Sequence, residues 1–316
     1  MEGGGEHRIL ITGATGFVGT ALCRLLAEKA PEAEIVPVGH GADRGRTVEL
    51  RDAEAVARMM EAVRPTAVIH LAAVAAPLEA RRSPRVAWEI NVTGTMNLAR
   101  AVLECVPKAR FVHVGSSEAY GASFLSASDP IDENAPLRPM TPYAASKAAA
   151  DLLVGQMSYD GLNAIRFRPF NHTGPGQSPD YVISAFARQI AEIMKGRRAP
   201  VIDVGNLDAK RDFLDVRDVV RAYADTALDG VPLEGPGLVF NLASGRTVRI
   251  GAILERLIAL SGREIEIRVD PEKLRPVDVP TTKATATAAR EKLGWTPVIP
   301  LETTLSDILS YWHDAI

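Results

Sequence analysis

The stretch Arg8-Ile9-Leu10-Ile11-Thr12-Gly13-Ala14-Thr15-Gly16-Phe17-Val18-Gly19 runs from an apolar segment into a glycine turn, and a helix is expected over 18–30. Strand, glycine turn and helix in that order form the setting a dinucleotide fingerprint requires. Gly13 permits the tight turn, Gly16 lets the backbone approach a pyrophosphate, and Gly19 lets helix and strand pack closely. The helix N-terminus offers free amides and a partial positive charge to phosphates. Thr15, Phe17 and Val18 therefore join the three glycines as candidate cofactor contacts. The spacing is G-x-x-G-x-x-G rather than the tighter G-x-G-x-x-G.

Downstream, 34–38 reads as the second strand. An NAD site places an acid at its end to hold the ribose 2′-OH. Here the chain continues Gly39-His40-Gly41-Ala42-Asp43-Arg44-Gly45-Arg46. His40, Arg44 and Arg46 suit a 2′-phosphate, while Asp43 keeps a ribose contact open, so NADP is favoured over NAD. A third strand is expected over 47–50, with Glu49 and Leu50 against the adenine. A helix over 53–63 leads to a strand over 67–71, and the small residues that follow let the backbone lie along the cofactor at Leu71, Ala72 and Ala73. A long helix is expected over 81–105, with Asn91 as a hydrogen-bonding brace. A strand over 110–114 then meets Gly115-Ser116-Ser117-Glu118-Ala119-Tyr120-Gly121.

Next come a loop over 129–142, a helix from Tyr143 to about 159 and a strand over 163–167. Strands alternating with helices imply an α/β fold with a Rossmann-type, doubly wound parallel sheet. Ligands of such sheets bind beyond the carboxyl ends of the strands. Gly13, Leu71, Ser116 and the start of the Tyr143 helix all fall on that edge. In Tyr143-Ala144-Ala145-Ser146-Lys147 the phenol and the ammonium share one helical face. A cation there is expected to lower the tyrosine pKa from its usual value of about 10. That makes Tyr143 a usable general acid or base.

The alternation loosens after Phe167, and the remainder reads as a smaller, mixed α/β substrate lobe. The dinucleotide domain is placed at 1–169 with a returning segment near 212–247, and the lobe at 170–211 and 248–316. Helices are expected near 181–195, 215–228, 250–261, 285–293 and 301–312, and a further sheet strand at 239–242. With 316 residues, 47% hydrophobic, 24% charged and a net charge of −3, the chain has ample core and no bulk attraction for nucleic acid. Cys23 and Cys105 sit in apolar helical patterns and fit a reducing compartment. No apolar run reaches the roughly 20 residues of a membrane span. The first residues lack the basic and apolar regions of a signal peptide, so a cytoplasmic location is expected.

Together, the glycine motif, Ser116 and Tyr143-x-x-x-Lys147 make the chain resemble the extended short-chain dehydrogenase/reductase family over nearly its whole length. The resemblance implies bound NAD(P) and hydride chemistry on a nucleotide sugar. Arg138-Pro139-Met140-Thr141-Pro142-Tyr143, Phe170-Asn171-His172-Thr173-Gly174-Pro175-Gly176-Gln177, Gly205-Asn206-Leu207, Arg211-Asp212-Phe213 and Leu274-Arg275-Pro276 are most similar to the GDP-4-keto-6-deoxy-D-mannose reductases, which make GDP-D-rhamnose. By that similarity Asn171, Arg211 and Arg275 contact the substrate diphosphate and Asp278 the nucleotide ribose, although a glutamate is usual at the last position. Tyr143 would protonate the C4 oxygen, Ser116 would stabilise it, and Lys147 would also hold the nicotinamide ribose. No metal ligands are assigned.

Glu118 complicates this reading, because the related GDP-mannose 4,6-dehydratases carry their base two residues after the serine position. They have threonine in place of Ser116 and an arginine-rich loop where this chain has Thr173-Gly174-Pro175-Gly176-Gln177-Ser178. Those differences favour a reductase. A 4-epimerase and a dinucleotide-binding redox regulator are the remaining alternatives. The resemblance further implies a homodimer packed through two helices per subunit.

Overall fold

The structure is a computed structural model that describes residues 7–39, 46–228, 235–273 and 279–316. Its centre is a six-stranded, all-parallel sheet. In chain order the strands are β1 (Arg8–Thr12), β2 (Glu34–Val38), β3 (Ala67–His70), β4 (Arg110–Val114), β5 (Ala164–Pro169) and β9 (Val239–Leu242), arranged β2-β1-β3-β4-β5-β9. The order reverses beside β1, and the crevice there is where a doubly wound sheet binds its ligand. The expected doubly wound fold is present.

Each face of the sheet is covered by helices that present an apolar stripe. On one face α1 (Phe17–Lys29) and α9 (Val216–Ala227) pack over Ile9, Ile11, Ile69, Phe167 and Phe240. On the other, α2 (Ala53–Val63), α5 (Thr95–Cys105) and α7 (Pro142–Met157) cover Leu10, Val68 and Phe111. Leu22 and Leu26, a turn apart on α1, are fully buried, and each contributes about 1.5–3 kcal/mol by burial.

Two expectations fail in this half. Residues 47–50 form no strand; among the described residues the ladder-like contact nearby is an isolated bridge between Val38 and Arg46. The outer edge of β2 is open, but the chain leaves it after that bridge, and the Leu50 side chain joins the α2–α5 core instead. The helix expected over 81–105 is broken into α3 (Pro77–Arg82), α4 (Pro84–Trp88), a π turn (Glu89–Gly94) and α5. Pro84 has no amide to continue α3 and starts a new helix. The π turn swings Asn91 inwards, the kind of bulge that accompanies functional sites.

Most of the remaining elements build the lobe, whereas the helix Thr287–Leu293 and Trp295 pack into the core of the main sheet. β6 (Asn171–Thr173), β8 (Lys210–Asp215) and β10 (Thr247–Arg249) make a three-stranded sheet ordered β10-β8-β6, and β7 (Val201–Val204) pairs with β11 (Glu266–Val269). α8 (Val182–Met194), α10 (Ile250–Ser261) and α12 (Leu301–Ala315) close a separate core around Phe186, Ile190, Leu254 and Ile308. Helix α9 and β9 return to the main sheet, while β8 stays in the lobe. Among the described residues no helix is long and apolar enough to cross a membrane.

Candidate active site

The glycine turn is built as a cradle. Gly13 has φ +72°, and a Cβ on it would stand 2.8 Å from the amide nitrogen of Ala72, so the turn abuts the segment leaving β3. A Cβ on Gly19 would lie 2.2 Å from the Gly13 carbonyl oxygen, which leaves room for glycine alone. Gly16 is the N-cap of α1 and contributes no side chain, so the first amides of that helix face outwards without an internal cap. Thr15, Phe17 and Val18 sit at that helix start, and Leu71, Ala72 and Ala73 follow β3 beside it. An anionic diphosphate of a dinucleotide fits such a terminus. Glu49 is tied to Arg51, whose Nη2 lies 2.7 Å from its carboxylate, and Arg51 also reaches Glu89. His40 and Arg44 lie outside the described residues. Arg46 is exposed and is held at the end of β2 by Arg46 N to Pro37 O (3.1 Å) and Gly39 N to Arg46 O (3.1 Å).

Along the same edge stands the Ser116–Tyr143–Lys147 group. Ser116, after β4, caps the 3₁₀ turn Ser117–Tyr120: its Oγ accepts from the Glu118 amide at 3.1 Å. Thr141 caps α7 through the Ala144 amide, and Pro142 starts the helix, which fixes Tyr143 in its first turn. The Ser116 hydroxyl lies close enough to the Tyr143 phenol to draw its pKa down in part.

Tyr143 does not have the lowered pKa expected from its lysine. Burial raises it first, the Glu118 carboxylate raises it further, and the Ser116 hydroxyl only partly opposes them. The reason is where the lysine points: Lys147 Nζ donates to Val114 O at 2.5 Å. Burial brings the Lys147 pKa down to about 8, with the Asp151 carboxylate opposing.

A buried hydrogen-bond chain links this group to the glycine turn. Thr12 Oγ1 meets His70 Nδ1 at 2.7 Å, His70 Nε2 meets Thr95 Oγ1 at 2.9 Å, and Thr95 Oγ1 donates to Asn91 O at 2.7 Å. Asn91 then accepts from Val74 N and donates to Ser146 Oγ at 2.9 Å, and Ser146 donates to Tyr143 O at 2.8 Å. Desolvation and the Lys147 charge hold His70 down at about 3, so it stays neutral. Asn91 is thus a brace, as its sequence position implies.

On the lobe side, Asn171 is exposed on β6 and Arg211 lies on the neighbouring β8. The nearby acids are engaged elsewhere: Asp212 accepts the Ser244 and Gly245 amides, and Asp215 pairs with Arg217. Arg275 and Asp278 lie outside the described residues. Sequence reasoning passed over Tyr181, whose phenol is close enough to Glu118 and Tyr143 to interact electrostatically with both. A tyrosine at the mouth of the α8 helix was the only signal for it.

The family model described as GDP-mannose 4,6 dehydratase matches residues 10–308. The chain belongs to that family. Within this GDP-mannose 4,6 dehydratase family it is 34% identical over 311 residues to the GDP-6-deoxy-D-mannose reductase of Pseudomonas aeruginosa, an alignment covering 98% of each chain. Among solved structures, RMD from Pseudomonas aeruginosa complexed with NADPH superposes with a TM-score of 0.85 at 33% identity, covering 98% of this chain and 100% of the other. The UDP-glucose 4-epimerase of Thermus thermophilus in complex with NAD gives a TM-score of 0.83 at 25% identity, over 98% of this chain and 100% of the other. These similarities bear out the expected resemblance and an NAD(P)-dependent oxidoreductase.

Proposed function

We propose that the protein reduces the C4 ketone of a nucleotide-linked 4-keto-6-deoxy sugar with NADPH, and that its substrate is GDP-4-keto-6-deoxy-D-mannose, giving GDP-D-rhamnose. The observation that carries this reading is the full-length identity of 34% with a GDP-6-deoxy-D-mannose reductase. The GDP-linked sugar, rather than a UDP-linked one, follows from it.

Bound NADPH supplies the hydride. The cradle of Gly13, Gly16 and Gly19 takes the diphosphate of the cofactor, and the exposed Arg46 at the end of β2 is assigned to the 2′-phosphate. Asn171 and Arg211 line the lobe for the sugar-nucleotide diphosphate, for which an arginine fork is suited. Tyr143 Oη holds its proton firmly because its pKa is raised, and releases it to the C4 oxygen as that oxygen becomes an alkoxide. Ser116 Oγ, already oriented by the Glu118 amide, donates to the same oxygen. Lys147 holds the nicotinamide ribose. The two free cysteines and the nucleotide-sugar substrate fit the cytoplasm, and the family resemblance supports a homodimer.

One observation favours a second reading, a GDP-mannose 4,6-dehydratase: Glu118 is close enough to Tyr143 to raise its pKa. Against it, the loop after Asn171 is tied to its own chain rather than extended outwards. Thr173 donates to Gln177 Oε1, Gln177 to His172 O, and Ser184 to Gln177 O. The test is loss of NADPH absorbance on adding GDP-4-keto-6-deoxy-D-mannose, with a product two mass units heavier. No oxidation of NADPH with that sugar would overturn the reductase.

A further inference from the structure

One buried arginine ties together the two segments that carry the reacting groups and the loop between them. Arg168 lies on β5 with a side chain only 6% exposed. Its Nη2 donates to Asp151 Oδ1 at 2.8 Å and its Nε to Asp151 Oδ2 at 3.1 Å. The other arm, Nη1, donates to Tyr120 Oη at 2.9 Å and to Glu133 O at 3.0 Å. The guanidinium also stands 5.1 Å from the centroid of the Tyr120 ring.

Each partner belongs to a different part of the catalytic edge. Asp151 is on α7 one turn beyond Lys147 and two beyond Tyr143. Tyr120 ends the 3₁₀ turn that Ser116 opens, and its hydroxyl donates onward to Asn241 Oδ1 at 2.7 Å. Glu133 lies in the loop that leads into α7, and its carboxylate accepts the Asn241 amide at 2.7 Å. Arg166 shares Asp151 at 2.7 Å. A buried fork with all three nitrogens hydrogen-bonded fixes orientation as well as separation.

We propose that Arg168 is a positioning residue that locks the Ser116 turn to the Tyr143 helix, so that both hydroxyls reach one substrate oxygen. The proposal rests on the roles given to Ser116 and Tyr143 above. Arg168 touches neither substrate nor cofactor; it acts through Tyr120 on Ser116 and through Asp151 on Tyr143. A lysine in its place keeps a cation beside Asp151 but has no planar fork, and cannot hold all three partners together.

The test is a double-mutant cycle on the full-length protein. Tyr120→Phe removes the oxygen through which Arg168 reaches the turn and leaves the buried ring in place. It is expected to lower kcat about tenfold in the wild-type background and less than about twofold in a Ser116→Ala background, because the effect passes through Ser116. The dissociation constant for NADPH should stay within about twofold in every variant. Equal losses in the two backgrounds, or no loss in wild type, would overturn the proposal. A second measurement needs no substrate. In Arg168→Lys, amide hydrogen exchange should rise across 116–122 and 131–145 while the glycine turn at 13–19 keeps its wild-type protection. Uniformly faster exchange would mean lost stability alone and would also overturn it. Wild-type inactivity on the ketosugar would overturn the activity reading, and the exchange data would still decide on Arg168.

Discussion

The ammonium of Lys147 donates to the carbonyl oxygen of Val114 at 2.5 Å, two residues before Ser116. It braces the backbone that presents the serine, and its charge does not reach the phenol strongly enough to offset burial. Tyr143 is therefore a protonated donor at rest, which suits reduction of a ketone. Tyr143→Phe is expected to lower kcat by a factor on the order of 10² or more with NADPH binding nearly intact. Steady-state kinetics and fluorescence titration of NADPH check this, and near-normal turnover would remove Tyr143 as the acid.

Lys147 makes activity and stability depend on pH in opposite directions. Its pKa is brought down to about 8, against about 10.4 for a free lysine. Below that value it is charged and braces Val114; as pH rises past it the ammonium is lost, so kcat/KM should fall. The folded state gives up this proton before the unfolded state does, so the contribution to stability grows with pH between about 8 and 10.4. Wild type should accordingly gain melting temperature relative to Lys147→Met across that window. Parallel pH profiles in the two proteins would show that another group titrates.

The parts legible in sequence were those set by local pattern. The glycine turn, the helix that follows it and the Tyr143–Lys147 spacing are all fixed within a dozen residues, and each is where the pattern places it. Spacing puts Lys147 on the Tyr143 face but does not say where its Nζ ends, and that is set by Val114 on another strand. The expected strand at 47–50 failed for a similar reason: the outer edge of β2 is open to it, but Leu50 is drawn into the core beneath α2 and α5, a contact no local pattern shows. Asp151, Arg168, Tyr120 and Asn241 meet from four segments up to 121 positions apart, and no periodicity encodes such a meeting.

Cofactor choice is expected to rest on the end of β2. Arg46 is exposed there and pinned by two backbone hydrogen bonds. Only NADPH offers a 2′-phosphate to a guanidinium. Arg46→Ala should weaken NADPH binding about tenfold and leave NADH nearly unchanged, as an exposed charge-assisted contact of roughly 1.4 kcal/mol would. Isothermal titration with both cofactors checks this; matched losses, or a wild-type preference for NADH, would overturn the assignment.

Glu118 separates the two enzyme readings. It is half-buried in the turn that Ser116 caps, and its charge raises the Tyr143 pKa. A reductase takes no proton from C5, so Glu118 has no step to perform and Glu118→Gln should retain most activity on GDP-4-keto-6-deoxy-D-mannose. Removing its charge should also lower the Tyr143 pKa, which eases proton release and keeps the change in kcat within about fivefold. A dehydratase needs a base at that place, recycles its cofactor and expels water from C6. Product mass and NADPH absorbance with GDP-mannose and with the ketosugar distinguish them in one experiment. Conversion of GDP-mannose to a 4-keto-6-deoxy product without added NADPH, stopped by Glu118→Gln, would make the protein a dehydratase. The expected outcome is no turnover of GDP-mannose, and consumption of one NADPH per ketosugar in both wild type and variant.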